Sequence, residues 1–165
     1  HGPILRVVFG SRNPSYISPI LSAIQSDLCE SGIDGVLSTH IQRDALEKFS
    51  YVSPIGAAGV YLHAVAGDFQ KEGAARELFK SMIREISTLA AAMGYPFEKD
   101  YVKINLEILS NLSADATTSM QRDIMEGKPS ELDGLVMEPL RLAKKYSVSM
   151  PCYEEVANAL CPLEF

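Results

Sequence analysis

Two amphipathic helical segments meet at the tetrapeptide Gly127-Lys128-Pro129-Ser130. Glycine commonly ends a helix, proline cannot continue one, and serine is a favoured N-cap residue. The sequence therefore predicts one helix that ends near Glu126 and a second that begins at Glu131. The hydroxyls of Thr118 and Ser119 and the carboxylate of Glu131 lie near this corner in the sequence.

Apolar residues at helical spacing fill most of the remaining chain, so the predicted fold class is all-α. A long helix is expected from His40 to about Ala64; it is rich in small residues and should kink at Pro54. Gly67-Asp68 is expected to begin a turn. Further helices are predicted by Leu78, Met82, Ile86, Leu89 and Met93, by Tyr101, Ile104, Leu106, Ile108 and Leu109, and by Tyr153, Val156 and Leu160. We expect six or seven helices in all, with Leu78, Met82, Ile86, Leu89, Ile104, Ile108 and Val136 in the core.

A short β fragment is predicted before these helices. Pro3–Phe9 is apolar and β-branched, as is typical of a strand, and Val36-Leu37-Ser38 indicates a second one. Between them, Asn13-Pro14-Ser15 is a helix-start signal for the apolar residues that recur from Ile17 to Leu28. Two strands fit the edge of a sheet whose main body lies outside this chain, and an unpaired edge around Val7–Phe9 should favour self-association.

Composition limits the classes of protein to which the chain can belong. Its 165 residues carry a net charge of −6, which argues against a nucleic-acid surface because such a surface needs clustered Lys and Arg. No apolar run approaches the length that spans a membrane. The three cysteines, Cys29, Cys152 and Cys161, have no C-x-x-C spacing and are predicted to be reduced thiols of a cytoplasmic protein.

Lys48 is the first candidate for chemistry. It lies on the long predicted helix, with Asp44 four residues before it and Val52 on the same side. The common role of such a lysine is a solvent-exposed ion pair, here with Asp44, because residues four apart are neighbours on a helix. The functional role is an ammonium that points across small residues into a cleft and donates a proton to a carbonyl oxygen.

Glu131 and Ser119 also have a structural and a functional interpretation. Ser130 with Asp133 three residues later resembles a capping box, and an acidic residue such as Glu131 suits a helix N-terminus. Ser119 by itself is a helix-surface hydroxyl. No G-x-G-x-x-G, Walker loop or nucleophile elbow is present, and the histidines lack metal-ligand spacing, so no metal site is expected. The residues alone therefore predict a helical domain with a candidate cleft but no particular reaction.

Stretches on both sides of the corner resemble a known family. The run Thr118-Ser119-Met120-Gln121-Arg122-Asp123-Ile124 and, after a glycine, Ser130-Glu131-Leu132-Asp133-Gly134 resemble the C-terminal domain of ketopantoate reductases (2-dehydropantoate 2-reductases). The family pattern is S-M-x-x-D-[IV]-x-x-G-x-x-[ST]-E-[IL]-D, and its later Val-x-x-Pro turn is matched by Val148-Ser149-Met150-Pro151. Ala45-Leu46-Glu47-Lys48-Phe49 is similar to the family's W-x-K motif, with leucine in place of tryptophan. The resemblance covers nearly the whole chain.

The resemblance implies a two-domain enzyme. Family members have an N-terminal Rossmann domain that binds NADPH and an all-helical C-terminal domain, of the 6-phosphogluconate dehydrogenase C-terminal-like fold, that holds the substrate. Residues 1–38 then correspond to the tail of the nucleotide-binding domain and a bridging helix, and residues 39–165 to the substrate-binding domain. The implied reaction moves a hydride from NADPH to the ketone of ketopantoate, a small 2-oxo acid, giving pantoate for pantothenate biosynthesis.

Carried over residue by residue, the resemblance implies roles for three side chains. Lys48 matches the lysine that hydrogen-bonds the keto oxygen and acts as general acid. Glu131 matches the acid that holds the substrate hydroxyl and supports the lysine, and Ser119 matches the hydroxyl that binds the substrate carboxylate. Such a set suits the reaction, because charge that develops on an alkoxide needs a nearby cation or proton donor.

The sequence departs from the family beside the lysine. Typical members carry Asn four and eight residues after it, where this chain has Val52 and Gly56. Ser53 lies nearby at a different helical angle and is a further candidate substrate contact. The expected substrate is therefore ketopantoate or another 2-oxo acid. The alternative is a non-catalytic helical domain of a diverged paralogue that serves interaction or dimerisation.

The missing glycine-rich fingerprint sets further expectations. We expect the chain to be part of a longer protein, catalytically silent alone, with NADPH bound mainly by a Rossmann domain outside it. Its expected partners are that domain, the small substrate and a second copy of itself in a homodimer. Neither nucleic acid nor a membrane is expected as a partner.

Overall fold

The computed structural model describes residues 5–13 and 18–160. Sequence-based predictions that concern Pro3, Ile4, Pro14, Ser15, Ile17 and Cys161 fall outside these ranges. The chain divides into two units, His1–Ala45 and Leu46–Phe165. The division into domains at residues 38 and 39 stays a prediction.

The first unit contains two parallel strands with a helix between them. β1 (Arg6–Gly10) and β2 (Asp34–Ser38) pair in register from Arg6 opposite Asp34 to Gly10 opposite Ser38. α1 (Pro19–Glu30) packs against β2, and the Ser18 hydroxyl caps it by accepting a hydrogen bond from the Ile20 N–H. Both predicted strands and the helix are present, although α1 begins at Pro19 rather than beside Asn13.

The second unit is built from helices. α2 (Ile41–Leu62) leads into it, and five-residue α3 (Ala66–Gln70) follows. The remaining α-helices are α4 (Ala74–Ala92), α5 (Tyr101–Ser110), α6 (Ser119–Met125), α7 (Glu138–Tyr146) and α8 (Pro151–Leu160). Asp133–Met137 forms a π-helical segment, called the π turn below, which leads directly into α7. The predominantly helical fold class is confirmed, with eight α-helices in the described part of the chain.

The core lies around α4. Phe79, Met82, Ile83, Ile86 and Leu89 are at most 2% exposed, and Tyr153 of α8 and Val136 of the π turn are fully buried with them. Burial is thus confirmed for Met82, Ile86, Leu89 and Val136, whereas Leu78 and Ile104 are only partly buried.

The predicted inner face of α5 is wrong. Ile108 is 44% exposed, while Asn105 and Leu109 are at most 1% exposed. The apolar pattern pointed to Ile104 and Ile108 because it passed over a polar residue. The helix is rotated instead so that the Asn105 amide reaches α2, where it makes two hydrogen bonds.

A short helix replaces the turn expected at Gly67-Asp68. The Asp68 carboxylate accepts a hydrogen bond from the Val65 N–H at 2.9 Å at the start of α3. The N–H groups of Ala66 and Gly67 donate to carbonyls of the segment before α6, at 2.9 and 2.8 Å. Five residues are too few to show a helical period, and these long-range bonds are what hold α3 in place.

At the corner, the first helix ends as predicted and the second begins differently. Gly127 has a φ of +65°, the left-handed conformation that commonly follows a helix end, and Glu126 is the C-cap of α6. Helical backbone resumes at Leu132, one residue after the predicted start at Glu131, but it takes the π-helical form over Asp133–Met137 before the regular helix α7 begins at Glu138. The reason lies in Pro139, which has no N–H to offer the Leu135 carbonyl four residues earlier, so α-helical bonding is interrupted there.

Candidate functional site

Lys48 lies on an open stretch of α2. Its side chain is exposed, and no hydrogen bond or ion pair involves its ammonium among the residues that the structure describes. The surface ion pair considered from the sequence is therefore not formed. Val52 and Gly56 follow at intervals of four residues on the same side of the helix; Val52 is 36% exposed, whereas Gly56 is buried.

Gly56 marks the place where α2 meets both sides of the corner. A Cβ built on Gly56 would lie 3.1 Å from the Met120 methyl of α6 and 3.9 Å from Leu135 Cδ1 of the π turn. The absence of a side chain at Gly56 thus lets the Met120 methyl approach the helix backbone, while Leu135 lies at an ordinary contact distance. Lys48 lies eight residues earlier, about 12 Å along the helix axis, where α2 is exposed.

The start of α6 presents the hydroxyl of Ser119 to solvent. Capping is done by its neighbour: the Thr118 hydroxyl accepts from the Gln121 N–H at 3.2 Å, and the Gln121 side-chain oxygen accepts from the Thr118 N–H at 3.0 Å. Ser119 itself is exposed, and its hydroxyl has no protein partner in residues 5–13 and 18–160. Its hydroxyl therefore has no structural function in the described fold.

Glu131 is exposed just before the π turn. The capping box expected from Ser130 and Asp133 is not formed, because Arg141 binds both carboxylate oxygens of Asp133, at 2.9 and 2.8 Å. Hydrogen bonding by Arg141 lowers the pKa of the Asp133 carboxyl below its ordinary value. The Glu131 carboxylate, by contrast, has no partner within the described ranges, while its backbone carbonyl accepts from the Leu135 N–H at 2.8 Å.

Ser53 is not placed with these exposed groups. It is fully buried; its hydroxyl donates to the Leu135 carbonyl at 2.6 Å and lies 2.5 Å from the Tyr153 hydroxyl. Both partners are inside the protein, so a direct substrate contact would require the hydroxyl to leave them.

Three buried polar residues of this region escaped sequence reasoning. Gln121 donates to the Ala64 carbonyl at 2.7 Å, Asn105 donates to the Ser50 carbonyl at 3.1 Å, and Tyr153 reaches Ser53. Burial raises the pKa of the Tyr153 hydroxyl, which keeps it protonated as a donor. Proline is the sequence signal for the Asn105–Ser50 contact and for the Ser53–Leu135 bond that Tyr153 joins, because a proline in a helix leaves the carbonyl four residues earlier without its helical donor.

Three exposed polar groups lie on neighbouring elements. An ammonium, a hydroxyl and a carboxylate stand on α2, on α6 and beside the π turn, and these three elements meet at Gly56. An ammonium and a hydroxyl can bind the oxygens of a small carbonyl compound or carboxylate, and a carboxylate can accept from a ligand hydroxyl. No group of three or more His, Cys, Asp or Glu suited to a metal ion occurs in residues 5–13 and 18–160. Within the same ranges, we find no helix with the length and apolar character needed to cross a bilayer.

Comparison with known proteins supports the family suggested by the motifs. One curated relative is an uncharacterized oxidoreductase, YkpB, of Bacillus subtilis (strain 168); it is 24% identical over 151 residues, which cover 92% of this chain and 50% of the relative. The chain thus spans about half the length of the curated relative that it matches.

Two solved structures show the same fold. The 2-dehydropantoate 2-reductase from Methylococcus capsulatus superposes with a TM-score of 0.87 at 23% identity, over 99% of this chain and 52% of that one. A D-mandelate dehydrogenase in ternary complex with NADH and anilino(oxo)acetate superposes with a TM-score of 0.79 at 17% identity, over 96% of this chain and 66% of that one. At these identities the likeness concerns the fold alone.

The sequence model of one family matches most of the chain. Its description is "Ketopantoate reductase PanE/ApbA C terminal", and the match runs from residue 40 to residue 164. This range contains α2 with Lys48, the start of α6 with Ser119, and Glu131 before the π turn. The chain therefore belongs to the family of ketopantoate reductase C-terminal domains.

Proposed function

We propose that this chain is the substrate-binding part of an NADPH-dependent reductase of 2-oxo acids, with Lys48, Ser119 and Glu131 as its substrate site. One observation supports this most directly. All three side chains are exposed and have no protein partner in the described ranges. The ion pair of Lys48 with Asp44 is not formed, and Thr118 rather than Ser119 caps α6.

The proposed chemistry is the reduction of a ketone to an alcohol. A hydride adds to the keto carbon and a proton to the keto oxygen, so that a 2-oxo acid becomes a 2-hydroxy acid. Lys48 hydrogen-bonds the keto oxygen, stabilises the negative charge that develops there, and donates the proton. Ser119 donates a hydrogen bond to the substrate carboxylate, and Glu131 accepts one from a substrate hydroxyl and balances the charge of the lysine.

The cofactor that supplies the hydride is proposed to bind mainly outside this chain. The sequence lacks the glycine-rich fingerprint that holds a pyrophosphate, and Gly10 is the last residue of β1, where a Cβ would lie 2.4 Å from the carbonyl oxygen of its strand partner Ser38. Ser18 also caps the start of α1. We therefore assign NADPH to an N-terminal Rossmann domain of the longer protein.

The proposed substrate is ketopantoate, which would place the enzyme in pantothenate biosynthesis in the cytoplasm. Cys29 and Cys152 are free thiols, as a reducing compartment would leave them. Val52 is apolar and lies beside Lys48, at a position where the family typically has asparagine. We therefore include 2-oxo acids with apolar side chains among the proposed substrates.

The test is an assay of the full-length protein with NADPH or NADH and a panel that contains ketopantoate, pyruvate and phenylglyoxylate. Lys48→Ala should lower kcat about 10²- to 10⁴-fold, the usual effect of removing a positioned proton donor. Glu131→Gln should also lower activity, whereas Asp44→Ala and the exposed control Lys71→Ala should not. Full activity in Lys48→Ala would return that residue to a surface role.

A second candidate is a helical interaction or dimerisation domain without chemistry. It is favoured by Val52 and Gly56, which offer no polar group beside Lys48. A folded full-length protein that reduces none of the 2-oxo acids with either cofactor would support this candidate and contradict the reductase.

A further inference from the structure

Two buried hydroxyls connect α8 to the π turn through α2. The Tyr153 hydroxyl lies 2.5 Å from Ser53 Oγ, and Ser53 Oγ lies 2.6 Å from the Leu135 carbonyl oxygen. Both side chains are 0% exposed. A carbonyl can only accept and a serine carries one hydroxyl proton, so Ser53 donates to Leu135 and Tyr153 donates to Ser53.

The final acceptor in this chain of hydrogen bonds is the Leu135 carbonyl, which lacks its usual α-helical donor. Pro139 is the residue whose N–H would bond the Leu135 carbonyl in an α-helix, and proline has no N–H. The backbone takes the π-helical form here, with the Glu138 N–H donating to the Asp133 carbonyl five residues earlier. The Ser53 hydroxyl therefore supplies a donor at the point where the backbone departs from the α-helix.

The same residue is tied to Glu131. The Leu135 N–H donates to the Glu131 carbonyl at 2.8 Å, so Leu135 is held by Ser53 on one side and holds the Glu131 backbone on the other. Ser53 itself is five residues beyond Lys48 on α2. A continuous set of hydrogen bonds thus links the helix that carries Lys48 to the backbone that carries Glu131.

We propose that Ser53 and Tyr153 are positioning residues, which hold Glu131 in the place where it works together with Lys48. This inference rests on the proposed function. Neither residue touches substrate; each acts through the backbone of the π turn. The burial of Tyr153 supports the role, because its raised pKa keeps the phenol a donor at any ordinary pH.

The test uses the full-length enzyme with Tyr153→Phe and Ser53→Ala. Each variant should lower kcat/KM about 10- to 100-fold, since small displacements of a site residue cost up to that much. Tyr51→Phe is the matched control: its hydroxyl is also buried but has no hydrogen-bond partner in the described part of the chain. It should leave kcat/KM unchanged.

Two further measurements separate positioning from a general loss of structure. In a Glu131→Gln background, Tyr153→Phe should cause no further fall in kcat/KM, because the group that it positions is already disabled. Pro139→Ala restores an N–H for Leu135, so it should reduce the effect of Ser53→Ala. Amide hydrogen exchange in residues 131–140 should be faster in Tyr153→Phe and unchanged in Tyr51→Phe.

The outcomes distinguish this inference from the proposed function. Suppose that the wild-type enzyme is active. The positioning role is then overturned if Tyr153→Phe leaves kcat/KM unchanged, or if Tyr153→Phe lowers kcat/KM by the same factor in the Glu131→Gln background as in the wild type. Unchanged exchange in residues 131–140 also overturns it. A wild-type enzyme that is inactive toward every substrate overturns the proposed function itself. If Ser53→Ala does not fold, Tyr153→Phe still decides, because it leaves the Ser53–Leu135 bond in place.

Discussion

Asn105 replaces the hydrogen-bond donor that Pro54 lacks. Pro54 lies inside α2 and has no N–H for the Ser50 carbonyl four residues earlier. The Asn105 amide, from α5, donates to that carbonyl and to the Ser50 hydroxyl, both at 3.1 Å. The Ser50 hydroxyl in turn donates to the Glu47 carbonyl at 2.7 Å, next to Lys48. α2 therefore continues through its proline with the buried Ser50 carbonyl satisfied.

Replacing Asn105 with alanine should lower the free energy of unfolding by about 1–3 kcal/mol, because the buried Ser50 carbonyl loses its donor. Urea denaturation of Asn105→Ala measures the change. Asn111→Ala is the matched control; its amide also bonds a carbonyl, but at an exposed site, and it should change stability by no more than about 0.5 kcal/mol. In a Pro54→Ala background the cost of Asn105→Ala should shrink, because a backbone N–H returns. If Asn105→Ala lowers the free energy of unfolding equally in both backgrounds, Asn105 does not replace the N–H that Pro54 lacks.

Gly59→Ala should destabilise the protein even though alanine is the better helix former. An added Cβ would lie 2.7–2.9 Å from the Gln121 side-chain amide. That amide cannot move freely, because it bonds both Thr118 and the Ala64 carbonyl. Overpacking costs about 1–3 kcal/mol against a gain of about 1 kcal/mol in helix propensity. Thermal unfolding should show a lower Tm for Gly59→Ala and no loss for Gly134→Ala, where an added Cβ meets no atom within 4 Å.

The Asp133–Arg141 pair predicts a pH-dependent contribution to stability. The pKa of Asp133 is lowered from its ordinary value of 3.8, first by the hydrogen bond from Arg141. A carboxyl whose folded pKa is depressed stabilises the fold above its unfolded pKa, and the contribution is lost as the pH falls through the folded value. Asp133→Asn should therefore be less stable than wild type at pH 7, and the difference should vanish well below pH 3.8. In an Arg141→Met background the stability difference caused by Asp133→Asn should depend little on pH. If the pH dependence persists there, an interaction other than the Asp133–Arg141 pair causes it.

The first unit predicts self-association of the isolated chain. Val7 and Val8 point to opposite faces of β1, and they are 41% and 42% exposed. In the described part of the chain the sheet has two strands, so β1 offers backbone groups and apolar side chains on its outer edge. Light scattering should show a concentration-dependent homodimer that Val7→Lys weakens. If the wild-type chain and Val7→Lys are both monomers, the exposed edge of β1 does not cause self-association.

Much of the fold was predictable because helix signals are local. The ends of α4 and α6, the extent of α2 and the start of α5 follow from glycine, proline and apolar spacing in the sequence. α3 was missed because it is short and is held by the distant Ala114 and Ala116 carbonyls. The exposure of Ile108 was missed because apolar spacing cannot anticipate that a helix turns an asparagine inward. Among the site residues, Lys48, Ser119 and Glu131 remain predictions, while the surroundings of Ser53 became known only from the structure.

The sequence by itself determined which backbone carbonyls would lack a helical donor. Pro54 and Pro139 define Ser50 and Leu135 as those acceptors, since an α-helical bond joins residues four apart. Only the tertiary structure decided which donors replace them: Asn105, 55 residues from Ser50, and Ser53, 82 residues from Leu135. The physical reason is that a hydrogen bond needs its two atoms within about 3.2 Å, and helix packing, not chain proximity, brings such distant groups together.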